Sequence, residues 1–268
     1  MRLQGKVAVV TGTSPRIGGT IARGFAAEGA KVACTSLSAD EARTCAEEIV
    51  SAGGEAFPVV GDVTDPAHAQ AVVEQVLERW GRVDVLVNNA VWFNRKGLLT
   101  VSLEEYRHQL DVILTGAFLF TRAVAEAMIR TGTGGSVINI LSGAAFQGEP
   151  GNLGYCAGKS GLLNFTRSVA MELAGHGIRV NGFTPTVTLP DDPEAGRRML
   201  SATASQDRPY PMDFAGQFPL GRLPTAADYL PALVFLASDE SRMVTGGNIA
   251  VDGGVSAKYW AWQPRHAD

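Results

Sequence analysis

The stretch Lys6–Gly18, KVAVVTGTSPRIG, decides the fold. Lys6–Thr11 is a β-branched, apolar run of the kind that fills a strand buried on both faces. A glycine follows at once, and a helical pattern opens over about Ile17–Glu28. A strand that passes through a tight glycine turn into a helix aims free backbone N–H groups at one point. The positive end of the helix dipole adds to them, and a pyrophosphate is the natural occupant.

Outward from this unit the alternation continues. Lys31–Ser36 and about Phe57–Val60 read as strands two and three, followed by helices over Ala39–Ala52 and Pro66–Trp80. Val83–Asn88, Ser136–Leu141, Ile178–Phe183 and Asn248–Val251 complete a set of seven strands. Helices at about Ser102–Arg130, Leu153–Gly175 and Ala226–Ala237 lie between them, the first opened by Ser102 and Glu105 at capping-box spacing. Strands joined by helices of this length pair in parallel through right-handed crossovers. The expected fold is α/β: one doubly wound domain over 1–268, with a seven-stranded parallel sheet flanked by helices. The proline-rich segment 186–223 breaks the rhythm, with one helical candidate at about Pro193–Ala204, and reads as a lid over a substrate. The tail, 255–268, carries Tyr259, Trp260 and Trp262, and is expected to pack on a neighbouring subunit or over the active site.

The 268 residues are 46% hydrophobic and 19% charged, ample for a core, with a net charge of −4. That balance argues against nucleic acid and against a polybasic membrane contact. No window approaches the ~18 uninterrupted apolar residues of a membrane span, and the N-terminus lacks a signal pattern. Cys34, Cys45 and Cys156 show no CxxC spacing, and the four histidines show no metal-ligand spacing and read as surface residues. The expectation is a cytoplasmic protein without a metal.

A second motif carries the chemistry. Tyr155 and Lys159, four apart in a helical segment, share one helix face, and Ser142 ends the preceding strand. A lysine cation beside a phenol favours the phenolate, lowering its pKa from ~10 toward neutrality. With Asp62-Val63 after strand three, Asn88-Asn89-Ala90 after strand four, Asn181 and Pro185 around strand six and Val251–Gly254 at the last, the chain resembles the short-chain dehydrogenase/reductase family. The likeness runs from Lys6 to about Gly254 and implies a Rossmann-type fold and an NAD(P)-dependent oxidoreductase.

The resemblance implies roles. Tyr155 exchanges the proton with the substrate oxygen, Ser142 orients that oxygen, and Lys159 lowers the tyrosine pKa and holds the nicotinamide ribose. Gly12, Ser14, Arg16, Ile17 and Gly18 form the phosphate turn. Asp62 and Val63 meet the adenine, Asn88 and Ala90 line the adenosine side, and Pro185 with Thr188 line the nicotinamide side. Family members commonly form homodimers or homotetramers through the two long helices.

The chain also departs from the pattern. Arg16, Val91 and Thr186 stand where the family has glycine, and Ile113 replaces an asparagine that helps hold a proton-relay water. Ile113 keeps open a catalytically impaired NAD(P)-binding sensor or assembly subunit. An acid at the end of strand two would hydrogen-bond the adenosine ribose and repel a 2′-phosphate, but Ser36 is there, followed by Leu37 and Ser38. Ser14, Arg16, Ser36 and Ser38 are candidate phosphate partners, which tips the choice to NADP(H) over NAD(H). Trp92, Phe93, Phe146 and Tyr210 suggest a small-molecule secondary alcohol or ketone that is apolar and cyclic or aromatic. A 3-oxoacyl thioester reductase is the alternative, with faint support from Arg197 and Arg198.

Overall fold

The computed structural model describes residues 1–190, 192–204 and 217–258. Seven parallel strands run in the order β3-β2-β1-β4-β5-β6-β7. They are β1 (Val7–Thr11), β2 (Lys31–Ser36), β3 (Glu55–Val60), β4 (Val85–Asn88), β5 (Gly135–Ile140), β6 (Ile178–Thr184) and β7 (Asn248–Ala250). The order reverses between β1 and β4, so the loops leaving these two strands diverge and open a crevice. Thr11 pairs with Thr35 of β2, and Val10 with Val87 of β4, which brings Gly12, Ser36 and Asn88–Ala90 to one edge of the sheet.

Successive β1 residues point to opposite cores. Ala8 and Val10 join Phe25, Ile49 and Leu233 beneath α1 (Ile17–Ala27), α2 (Ala39–Ser51) and α8 (Leu230–Ala237). Val7 and Val9 join Val72, Phe120 and Met128 beneath α3 (Pro66–Trp80) and α5 (Gly116–Thr131). Burial on both faces explains why these strands are apolar without alternation. The edge strand β3 does alternate, and it starts at Glu55, two residues before the apolar run. Conversely β4 starts two residues late, because the Asp84 side chain accepts the Val7 N–H at 2.9 Å and pairs with Arg82.

The helix expected over Ser102–Arg130 is not regular. It consists of α4 (Leu103–Leu110), a π turn over Asp111–Thr115, and α5. The Ser102–Glu105 capping box is formed. By length and composition Leu103–Thr131 could cross a membrane, but 61% of its apolar window is buried inside the protein. The same layer holds α6 (Leu153–Leu173), and α7 (Pro193–Ala204) is the helix of the segment read as a lid. That segment is tied to the body where the Leu189 N–H meets Pro224 O at 2.9 Å. Residues 205–216, with Tyr210, and 259–268, with the tail aromatics, lie outside the described residues.

A buried polar chain joins strands to helices. The Asn88 amide donates to Thr121 Oγ1 (3.0 Å) and Asn139 Oδ1 (2.8 Å), and the Asn139 amide donates to Thr166 Oγ1 (2.9 Å). The Asn88 amide therefore serves the sheet interior, while the residue still lines the same small cavity as Val63 and Ala90. Buried donors left without partners cost about 1–3 kcal/mol each. Asn139→Ala is expected to lower the unfolding free energy by about 3 kcal/mol, read by urea denaturation. A loss below about 1 kcal/mol would show that the chain adds little.

Candidate active site

The crevice floor is the turn after β1. Gly12 has φ +69°, and a Cβ there would lie 2.9 Å from Ala90 Cα; at Gly18 it would lie 2.0 Å from Gly12 O. Both positions exclude side chains. The Asn89 amide donates to Thr11 O (3.0 Å) and Gly12 O (2.9 Å), while Thr11 Oγ1 accepts the N–H groups of Asn89 (2.9 Å) and Ala90 (3.1 Å). Side chains cap α2, α3 and α4 (Ser38, Asp65 and Ser102), but Arg16 gives α1 no side-chain cap. Ser14 and Ile17 flank this uncapped start, and Arg16 is exposed. A bare helix end behind a glycine turn suits a diphosphate, with the guanidinium on its rim.

Where β2 ends, the Ser36 hydroxyl donates to Glu41 Oε2 at 2.9 Å and accepts the Ser38 N–H at 3.2 Å. The Ser38 hydroxyl in turn accepts the Glu41 N–H at 3.3 Å. Both serines expected to meet a 2′-phosphate are thus tied to Glu41. Asp62 Oδ1 accepts the backbone N–H (2.9 Å) and hydroxyl (2.8 Å) of Thr64, which together hold its carboxyl below the usual value against some burial. Val63 packs against Gly116, where an added Cβ would lie 2.9 Å from its methyl carbon. His68 is buried rather than on the surface, its Nε2 lying 3.0 Å from Thr35 Oγ1, and burial lowers its pKa.

Ser142 follows β5 and starts the short turn Gly143–Ala145, which Ser160 fastens to α6 through a 3.0 Å bond to Ala145 O. Tyr155 stands in the first turn of α6 and Lys159 one turn on. The buried Lys159 ammonium donates to Ile140 O at 2.5 Å and lies 5.6 Å from the Tyr155 ring centroid. Burial pulls its pKa down to about 7. Burial also pushes the Tyr155 phenol above its ordinary value, and the opposing pull of the nearby Ser142 hydroxyl is smaller. The expectation of a phenol drawn toward neutrality by the lysine is corrected: desolvation outweighs the neighbouring groups.

The Phe93 ring packs 5.7 Å from that of Tyr155, and the Arg95 guanidinium sits 5.5 Å from the Phe93 centroid and 3.5 Å from the Glu149 carboxylate. Arg95 is the one non-glycine with positive φ, +51°, among the described residues. Ile113 lies inside the π turn, 2% exposed, against Gly158, where a methyl group would come within 3.0 Å of its Cδ1. Pro185 follows β6 and is buried. The Thr188 hydroxyl donates to Thr186 O (2.8 Å) and contacts Tyr229 Oη (2.8 Å), so it anchors its own loop.

Glu41 and the Arg95–Glu149 pair were not singled out from the sequence, and Asn89 was named there only within a motif, without a role. Ser38 and Glu41 do have capping-box spacing, a legible sign that the glutamate returns toward the end of β2.

A family model described as enoyl-(acyl carrier protein) reductase matches residues 13–256. The D-threitol dehydrogenase of Mycolicibacterium smegmatis is 35% identical over 96% of this chain and 95% of its own length. A 3-oxoacyl-(acyl-carrier-protein) reductase of Thermotoga maritima is 36% identical over 95% and 99%. A gluconate 5-dehydrogenase from Burkholderia cenocepacia, solved with NADP and tartrate, superposes with a TM-score of 0.84 at 31% identity, covering 96% of this chain and 97% of that one.

The buried ammonium makes a stability prediction. The folded Lys159 loses its proton near pH 7 and an unfolded lysine near 10.5, so the unfolded state binds more protons in between. Stability contributed by this group therefore rises with pH across that window and is lost as pH falls through 7. Lys159→Met avoids the buried charge but gives up the bond to Ile140, and is expected to raise the unfolding free energy at pH 7 by about 2 kcal/mol. The gain should shrink toward pH 10 in urea titrations of the dinucleotide-free protein. A variant less stable than wild type at pH 7 would contradict this.

Proposed function

The chain belongs to the short-chain dehydrogenase/reductase family and is an NAD(P)-dependent oxidoreductase; we propose that it interconverts a small secondary alcohol and its ketone through Ser142, Tyr155 and Lys159. The observation that carries this reading is the Lys159 ammonium 5.6 Å from the Tyr155 ring centroid with the Ser142 hydroxyl near the phenol, in a chain whose α1 starts without a side-chain cap behind a glycine turn. Hydride chemistry is what a bound nicotinamide dinucleotide supplies. The residues that would hold it are Gly12, Ser14, Arg16, Ile17 and Gly18 at the diphosphate, Asp62, Val63 and Ala90 on the adenosine side, and Lys159 with Pro185 on the nicotinamide side. The absence of room for side chains at Gly12 and Gly18 supports that fit.

Burial keeps the Tyr155 phenol protonated at neutral pH, so it stands ready to give its proton to a carbonyl oxygen. Ser142 steadies the same oxygen by donating to it. The reverse reaction needs the phenolate, which rising pH supplies; Lys159, whose pKa burial holds at about 7, is largely neutral there. The half-exposed Trp92, Phe93 and Phe146 supply an apolar wall, which supports a cyclic or aromatic substrate. The thioester alternative calls for free cations in the lid segment, whereas Arg198 pairs with Asp192 at 3.7 Å and Glu194 at 3.6 Å. The sensor alternative is opposed by the assembled Ser142, Tyr155 and Lys159.

We place the protein in the cytoplasm as a homodimer or homotetramer joined through the α4–α5 and α6 faces, where Phe118 (46% exposed) and Met171 (65%) lie open. The sequence leaned to NADP(H) for want of an acid at Ser36; the Glu41 carboxylate now stands against that lean.

Tyr155→Phe is expected to cut kcat/KM on a responsive cyclic ketone by roughly 10³-fold or more while nicotinamide binding persists. Undiminished turnover would remove Tyr155 from the reaction. In wild type, reductive kcat/KM should stay level through neutrality and fall only in the alkaline range, where the oxidative rate should climb. A reductive rate that falls between pH 6 and 8 would show a phenol of much lower pKa.

A further inference from the structure

We infer that Glu41, reaching from α2 to the end of β2, selects the dinucleotide, and that it selects NAD(H) over NADP(H). The inference rests on the dinucleotide reading of the crevice.

In an open sheet of this order, the group at the end of β2 meets the adenosine ribose, and an acid there accepts the 2′-hydroxyl while repelling a 2′-phosphate. Here the strand ends in Ser36, a group neutral toward both. Glu41 changes that chemistry from five residues away. In a complete capping box its carboxylate would take the N–H of Ser38. Instead Ser38 gives that N–H to Ser36 Oγ at 3.2 Å, and the half-buried carboxylate accepts the Ser36 hydroxyl at 2.9 Å. A negative charge is thus held one hydrogen bond from the strand end.

No cation nearby offsets it. Among the described residues Glu41 has no ion-pair partner, Arg23 is engaged by Glu48 at 2.7 Å, and Arg43 is engaged by Asp40. Leu37, 73% exposed, offers a 2′-phosphate no donor. The hydroxyl proton of Ser36 is already given to Glu41, so the serine can accept from a ribose hydroxyl but has no proton left for a phosphate. Arg16 forms no ion pair among the described residues, but it stands at the diphosphate turn.

The test is direct binding of NADH and NADPH to wild type, Glu41→Gln and Ser36→Ala, by nicotinamide fluorescence or calorimetry. Wild type should bind NADH about tenfold or more tightly, and the ratio should narrow as salt is raised, because the discrimination is a charge repulsion. Glu41→Gln should bring the two dissociation constants within about threefold, mainly by strengthening NADPH. Ser36→Ala, which frees the carboxylate without removing it, should narrow the ratio less. The Ser38 cap survives in both variants, so α2 should remain folded by circular dichroism. Wild type that binds NADPH as tightly as NADH, or a ratio unmoved in Glu41→Gln, overturns the inference alone. If neither dinucleotide binds, the dinucleotide reading fails and the inference with it.

Discussion

The crevice depends on one clamp. Asn89 hands its amide to the carbonyls of Thr11 and Gly12, and Thr11 returns its hydroxyl oxygen to the N–H groups of Asn89 and Ala90. Two loops that leave neighbouring parallel strands in opposite directions would otherwise expose unpaired backbone at the place where a ligand must enter. The clamp satisfies that backbone internally. It also fixes the glycine turn against Ala90 so closely that a single extra carbon has no place. Apart from Lys159 on α6, every group assigned to the dinucleotide takes its position from this junction or from a strand of the same sheet.

The reactive side is organised by burial more than by attraction between charges. Lys159 is driven into the protein by its place on α6 and satisfied by the Ile140 carbonyl, so its charge is costly and its proton lightly held. Tyr155 shares the same apolar surroundings, with Phe93 against its ring, and keeps its proton. Two groups exchange protons most readily when their affinities match, and burial draws these two apart by pulling the lysine down. The phenol moves the other way, which favours the role of donor.

Much of this was legible in the residues. Central strands buried on both faces write long apolar runs, and the glycine turn, the Tyr155–Lys159 spacing and the Ser102 cap are local signals with local causes. What escaped lay in side chains that act at a distance. Asp84 shortens β4 by taking a β1 amide, Asn88 turns inward to Thr121 and Asn139, and Thr188 is spent on Tyr229. The direction of the Tyr155 shift escaped too, because spacing reveals the neighbouring cation but not the depth of burial. Glu41 was half visible: its spacing from Ser38 announces a cap, whereas its diversion to Ser36 requires knowing that the strand and helix meet there.

The π turn at Asp111–Thr115 has a consequence for how this chain tolerates change. A wider coil inserted into a helix alters the rotational phase of everything after it, by about 100° for each residue gained or lost. The segment can therefore keep polar residues outward in α4 and still bring Phe120, Val124 and Met128 inward in α5. Removing one residue from that coil would leave every side chain of α5 intact yet swing that half of the helix off its core, so length is under tighter constraint here than identity.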